Sequence, residues 1–231
     1  MIEDPPKLVV NRAVTRPTAE QIAAFQGVPT GFVADAMDGT GALDPQIKPL
    51  QGRGLPVSVA GPALTADPGP ADVLATFAAL SFVQPGDVLV CAFQGHQGCA
   101  AAGDRTMGML RNNGGIAFVT DGPVRDYEGL MAAGLPIWCT GLNPASPFTS
   151  GPGKVGFPVT IGGRMVASGD MVIADRDGVV TVPFSELDSV IERLKHVAAL
   201  EAALDAEVAA GRKQVDAVAA LLESAATRYV D

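Results

Sequence analysis

Two short segments hold most of the side chains in this sequence that could do chemistry: Gly103-Asp104-Arg105-Thr106 and Asp121-Gly122-Pro123-Val124-Arg125-Asp126. The first follows a small-residue loop, Gln94 to Gly103, and reads as the start of a helix near Asp104. The first N–H groups of a helix lack intrahelical acceptors and lie at the positive end of its dipole, so Gly103 to Thr106 could cradle a carboxylate or a phosphate. Read alone, the segment is equally a tight turn with Asp104 as a plain N-cap. Neither a phosphate-loop Lys-Ser/Thr ending nor Gly-x-Gly-x-x-Gly spacing is present, which disfavours a nucleotide. In the second segment Arg125 offers a planar fork for a carboxylate or an enolate oxygen, and Asp126 a hard oxygen ligand for Mg²⁺ or Mn²⁺. Adjacent residues at a helix start point in different directions, so one can face substrate and the other metal. The plainer reading is a surface ion pair.

An anion cradle beside a metal carboxylate and an arginine describes a site for a 2-oxo acid. The cation would chelate its carboxylate and keto oxygens and, with Arg125, stabilise the enolate formed when a neighbouring carbon–carbon bond breaks. A Schiff-base mechanism needs a desolvated lysine instead, and none of Lys7, Lys48, Lys154, Lys195 and Lys213 falls in this crevice. His96, in the glycine loop, could relay a proton or simply pack there. His196 reads as structural or exposed, Asp175 and Asp177 as turn formers, and Asp35 and Asp38 as a solvated helix face.

The elements that must position these residues alternate along the chain. Strand-length apolar runs occur at Val57 to Leu64, Asp87 to Ala92, Gly115 to Thr120, Pro136 to Thr140, Val155 to Ile161, Met171 to Ala174 and Val179 to Val182. Helical patterns intervene at Ala71 to Val83, Asp104 to Asn112 and Val124 to Ala133. This order predicts an α/β core with a parallel region and an antiparallel region beside it, joined near Asn143 to Gly153. Adjacent strands of an open α/β sheet form the ligand crevice at their carboxyl ends, where both chemical segments fall. Earlier, Thr18-Ala19-Glu20-Gln21 reads as a capping box, and Thr30 as the cap of a second helix running to Asp38. We read residues 1–17 as an aperiodic arm, 18–183 as the core and 184–231 as a helical extension.

In that extension Ser185 reads as an N-cap and Gly211 as the terminator of a helix whose apolar stripe includes Leu187, Val190, Ile191, Leu194, Val197, Leu204 and Val208. Glu201 interrupts the stripe. It either reaches solvent at the stripe's edge or projects into a polar site. A helix this long should overhang its own core and pack on a neighbouring subunit, which predicts a homo-oligomer.

A formal charge of −9 argues against a nucleic-acid partner, which requires displacement of phosphate counterions by Lys and Arg. No apolar stretch approaches the roughly 20 residues of a membrane span, and the N-terminus lacks a signal-peptide pattern, so we expect no membrane partner and a cytoplasmic location. Cys91, Cys99 and Cys139 are too few and scattered for a disulfide framework or a zinc ligand set and read as buried thiols.

Gly86-Asp87-Val88-Leu89-Val90, Gly103-Asp104, Asp121 to Asp126 and Gly169 to Val180, taken in order, resemble the RraA-like family. That family includes the 4-hydroxy-4-methyl-2-oxoglutarate / 4-carboxy-4-hydroxy-2-oxoadipate aldolases and the regulator of ribonuclease activity A. The resemblance spans about residues 28 to 205. It implies a swivelling β/β/α domain with a long C-terminal helix, trimers or hexamers, and class II aldolase chemistry dependent on Mg²⁺ or Mn²⁺. The reaction releases pyruvate, with oxaloacetate decarboxylation as a side activity. By position, Gly103, Asp104, Arg105 and Thr106 would hold pyruvate with Arg125, Asp126 would bind metal, and Glu201 from a neighbouring subunit would reach the metal through water. Asp104 and Arg125 are the expected catalytic residues, Asp104 by positioning the water that deprotonates the substrate hydroxyl. His96, Gln97 and Cys99 depart from the aldolase pattern, which leaves the leaving fragment open if the Phe93–Cys99 loop faces it. Two other readings remain: a non-catalytic regulator of ribonuclease E or a helicase, and a lyase or hydratase of sugar-derived 2-oxo acids.

Overall fold

The computed structural model describes residues 5–50, 52 and 57–230. Its elements run β1 (Leu8–Val10), α1 (Ala19–Phe25), α2 (Thr30–Ala36), β2 (Lys48–Pro49), β3 (Val59–Asp67), α3 (Leu74–Ala79), β4 (Val88–Cys91), α4 (Asp104–Asn112), β5 (Ala117–Thr120), α5 (Tyr127–Ala133) and β6 (Ile137–Cys139). They continue with β7 (Gly153–Val155), β8 (Val159–Ile161), β9 (Arg164–Val166), β10 (Met171–Ala174), β11 (Val179–Val182), α6 (Leu187–Ala209) and α7 (Asp216–Leu222). Strands β3, β4, β5 and β6 pair in parallel, as expected for strands whose side chains are apolar on both faces. β3 does double service. Ala63 to Ala66 pair with β4, while Val59 to Pro62 pair antiparallel with β10, which in turn pairs antiparallel with β11.

Because side chains alternate along a strand, the parallel sheet feeds two cores. Leu64, Leu89, Cys91, Phe118, Ile137 and Cys139 face one way and pack with residues of α3, α4 and α5. Ala63, Val88, Val90, Ala117, Val119 and Trp138 face the other and meet Val172, Ala174 and Val179 of the antiparallel part and β8–β9. The far side of β10 and β11 is covered by α1, α2 and α6 through Phe25, Val33, Leu187, Val190 and Leu194. The result is two β layers clad by helices on each outer side. Cys91, Cys99 and Cys139 are free thiols, and all three are buried; burial pushes Cys91 up to about 12 and Cys139 up to about 11.

The local signals hold in several places. Thr18 and Gln21 form the reciprocal capping box, a contribution of about 1 kcal/mol. Other expectations need correction. Thr30 is the first helical residue of α2 rather than its cap; the carboxylate of Asp175 does the capping, accepting from the Thr30 N–H and hydroxyl at 2.8 Å each. The run from Val155 to Ile161 is two strands, because the chain turns at Gly156–Pro158 and only β7 joins the main sheet. The helix expected from Ala71 begins at Leu74, whose N–H donates to Asp72 at 2.7 Å. Ser185 does not cap α6, which is entered through a short 3-10 turn at Phe184–Glu186.

Residues read as an arm contain β1, which pairs with β7, and Arg16, whose fork grips the fully buried Asp87 at 2.8 and 2.9 Å. At the other end α6 leaves its core after Val197: Leu200, Leu204 and Val208 are exposed, as are Val218 and Leu221 of α7. No helix among the described residues is long and apolar enough to cross a membrane.

Candidate active site

The crevice lies where β4 and β5 end and α4 and α5 begin. Asp121, just past β5, accepts from the N–H groups of Phe93 at 2.6 Å and Gly95 at 2.8 Å, tying the two strand ends together. Burial pushes this carboxyl above its ordinary value, against the pull of those two N–H donors. Beyond it the chain stays extended. Val124 bridges Ala102 on one side and Leu142 on the other, and the Arg125 N–H donates to Ala102 at 3.0 Å. That ladder is why α5 starts only at Tyr127 and not at Val124.

A cavity of about 450 Å³ opens there, lined by Val73, Phe77, Ala100, Ala102, Gly103, Asp104, Arg105, Thr106, Arg125, Asp126 and Pro147. Of the expected site residues, Gly103, Asp104, Arg105, Thr106, Arg125 and Asp126 line it and Glu201 does not. Gly103 is the N-cap of α4 and Asp104 its first residue, so Asp104 is not a plain N-cap. The Asp104 Oδ1 accepts the Arg105 N–H at 2.6 Å, taking one donor from the expected anion cradle. The Asp104 side chain lies against Gly129 of α5, where a Cβ would come within 2.8 Å of its Cγ.

Asp126 caps α5 in a left-handed conformation, φ +65°, a strained state for a residue other than glycine. Its carboxylate leans over Gly103. Arg125 and Asp126 do not diverge as expected, because Arg125 Nε lies 3.4 Å from Asp126 Oδ2. Arg125 Nη1 also donates to Ser146 Oγ at 2.6 Å. The apolar half of the cavity, Val73, Phe77, Ala100 and Pro147, escaped the sequence reading, as did Ser146. Hydrophobic patterning could mark Val73 and Phe77 only as helix face, and nothing in the text of the chain marks a serine some 20 residues from its arginine.

Other candidates lie outside the cavity. His96 packs edge-on against Phe93, with ring centroids 5.6 Å apart. The Phe93–Cys99 loop, which could have faced a leaving fragment, contributes no residue to the lining of this cavity. Gln97 instead donates to Asp121 O and accepts from Thr140 Oγ1. Asp175 and Asp177 form the turn between β10 and β11, with the Asp177 N–H on Asp175 Oδ1 at 2.9 Å. Asp35, Asp38 and His196 are exposed. Glu201 is half-buried on α6, in the helical layer on the opposite side of the two sheets from α4 and α5. Among the described residues no three His, Cys, Asp or Glu side chains cluster as a metal cage.

The architecture is a swivelling β/β/α fold with an arginine–carboxylate cavity at its strand ends. The family description RraA-like, Aldolase/RraA, matches residues 30–181. The chain belongs to that family. It is 35% identical over 174 residues, covering 75% of this chain and 81% of the relative, to a Halalkalibacterium halodurans protein provisionally named a 4-hydroxy-4-methyl-2-oxoglutarate aldolase. A Streptomyces coelicolor structure, RraAS2, described as an unusual member of the RNase ES inhibitor RraA protein family, superposes with TM-score 0.73 at 29% identity, covering 83% of this chain and all of that one. An uncharacterized Pseudomonas syringae protein shares the fold with TM-score 0.75 at 24% identity, over 87% of this chain and 93% of its own.

Proposed function

We propose that this protein is a divalent-metal-dependent aldolase that cleaves a 4-hydroxy-2-oxo acid to pyruvate and a second oxo acid. The observation that carries this is one cavity bringing together the first turn of α4, the Arg125 fork and the carboxylates of Asp104 and Asp126. The relatives named as aldolases support the same class.

The donor set suits Mg²⁺ or Mn²⁺. Asp126 offers a half-exposed hard oxygen at the cavity wall, and a cation of this kind keeps most of its water and needs only one or two carboxylates. A caged zinc site would require a cluster that the described residues do not form. We assign Asp126 as the ligand, joined through water by a neighbouring subunit's Glu201, which the overhang of α6 would deliver. When bound, the cation supplies Lewis-acid neutralisation of the charge that develops on the keto oxygen.

The chain's own residues do the rest. The first turn of α4 holds the substrate carboxylate, and Arg125 holds the oxygen that becomes the enolate. Asp104 orients the water that accepts the 4-hydroxyl proton. Loss of that proton leaves an alkoxide, whose electron pair becomes the carbonyl of the leaving oxo acid as the C3–C4 bond breaks. The electron pair of the C3–C4 bond then passes into the pyruvate enolate, and protonation at C3 gives pyruvate. Val73, Phe77 and Pro147 give the cavity an apolar wall beside the charged groups.

Oxaloacetate needs only the pyruvate half of this site. Purified protein given oxaloacetate with Mg²⁺ or Mn²⁺ should form pyruvate, followed through a coupled dehydrogenase, and chelator should abolish it. The likeness to RraAS2 supports a second reading, a non-catalytic regulator of an RNA-processing enzyme. Absence of chelator-sensitive pyruvate would favour that reading.

A further inference from the structure

We propose that Ser146 is the positioning residue for Arg125, and that the strap from Asn143 to Phe148 exists at this site to present it. The proposal deepens the aldolase reading and rests on it for its kinetic arm only.

An arginine beside a single half-exposed carboxylate is poorly fixed, because such an ion pair is weak and the side chain has many rotamers. Among the described residues its only ion pair is with Asp126, at 3.4 Å and with both partners partly exposed. The shorter contact is the 2.6 Å bond from Nη1 to Ser146 Oγ. Engaging both Nε and Nη1 fixes the plane of the guanidinium. Nη2 has no partner among the described residues and is left for a substrate oxygen.

Ser146 can do this only because its own backbone is held. Asn143 donates from Nδ2 to Gln97 O at 2.8 Å and accepts the Ala145 N–H on Oδ1 at 2.9 Å. The Ala100 N–H donates to Ala145 O at 3.0 Å, and the Phe148 N–H to Ala71 O at 2.8 Å. With the Val73 N–H also donating to Phe148 O at 2.9 Å, the strap is bonded on one side of Ser146 to Ala100 and on the other to Val73, both walls of the cavity. The loop carrying Gln97, which does not line the cavity, acts on it by anchoring this strap.

The test compares Ser146→Ala, Ser146→Thr and Asn143→Ala with the parent protein. Side-chain ¹⁵N spectra read the arginine directly, since restricted rotation about Nε–Cζ separates the two Nη signals. The Arg125 signals, identified by their loss in Arg125→Lys, should be separate in the parent and in Ser146→Thr, and merged in Ser146→Ala. In kinetics with oxaloacetate, Ser146→Ala should raise KM about tenfold with a smaller fall in kcat, Ser146→Thr should restore KM, and Asn143→Ala should give an intermediate KM. Thermal midpoints should be equal for the parent, Ser146→Ala and Ser146→Thr. Merged Arg125 signals in the parent, or separate ones in Ser146→Ala, would overturn the proposal. A parent that shows separate signals but turns over no oxaloacetate would overturn the aldolase reading and leave the positioning role standing.

Discussion

The carboxylate of Asp126 occupies the space a side chain on residue 103 would need: a Cβ built on Gly103 would sit 2.5 Å from Asp126 Oδ2 and 3.4 Å from Arg125 Cγ. Glycine at 103 is therefore a condition of the site's geometry. Gly103→Ala should displace the carboxylate by a fraction of an ångström to an ångström and cut oxaloacetate turnover about 100-fold, with the fold retained by circular dichroism. Turnover within threefold of the parent would show that the position of Asp126 is not critical.

Among the described residues Asp104 lines the cavity but forms no ion pair with Arg125, which pairs with Asp126 instead. Asp104→Asn should keep pyruvate and Mn²⁺ binding, by calorimetry, within a few-fold, while lowering kcat by about 10²- to 10⁴-fold. Near-normal kcat would remove this residue from the proton path.

The Arg16–Asp87 pair ties the N-terminal segment to the start of β4. Asp87 is fully buried and also accepts the Gln84 N–H at 2.8 Å. Arg16→Ala leaves that charge without its cation and should cost about 3–5 kcal/mol in urea unfolding at neutral pH. A loss below 1 kcal/mol would mean that solvent replaces the arginine.

Asp72 gives a pH signature. Burial opposes its ionisation, but N–H donors from Leu74, Ser150, Gly151 and Val73 outweigh that and hold the carboxyl below its usual 3.8. A lowered folded value means that the unfolded chain binds more protons just below pH 3.8, so this contribution is full above that pH and is lost as pH falls through the folded value. The stability gap between parent and Asp72→Asn, from denaturant unfolding, should be constant from pH 5 to 8 and narrow below pH 3.8. Burial sets Asp121 and Asp170 the opposite way, raising both, so just above their ordinary range they lose stability as pH rises.

A site shared between subunits can be rebuilt from two defective chains. Asp126→Asn and Glu201→Gln should each abolish most activity alone, and co-refolded mixtures should recover a fraction of parent turnover. No recovery in mixtures shown by mass photometry to contain both chains would place Glu201 outside the site.

Much of this was legible because strand and helix patterns are local. Met171–Ala174, Val179–Val182 and Asp104–Asn112 fall where periodicity puts them, and the strand-end rule put Asp104, Arg125 and Asp126 in one crevice. The misses are long-range. β1 is three residues whose partner β7 lies some 145 positions away, and Asp175 caps a helix from the same separation. Ser146 belongs to that class: its role depends on where a strap crosses, which no spacing encodes. Helix starts shifted at Leu74 and Tyr127 because Asp72 and Val124 found partners in other segments.

Strand β3 bears on how the molecule assembles. Its nine residues carry antiparallel partners along the first half and parallel partners along the second, and Ala66 and Asp67 also pair with β7. A slip of one residue would turn both cores inside out at once, so neither layer has an alternative alignment in which to rest. Its partners arrive from about 25 to over 100 residues away. Closure of those long loops should set the refolding rate, and the layers should melt together as one cooperative block.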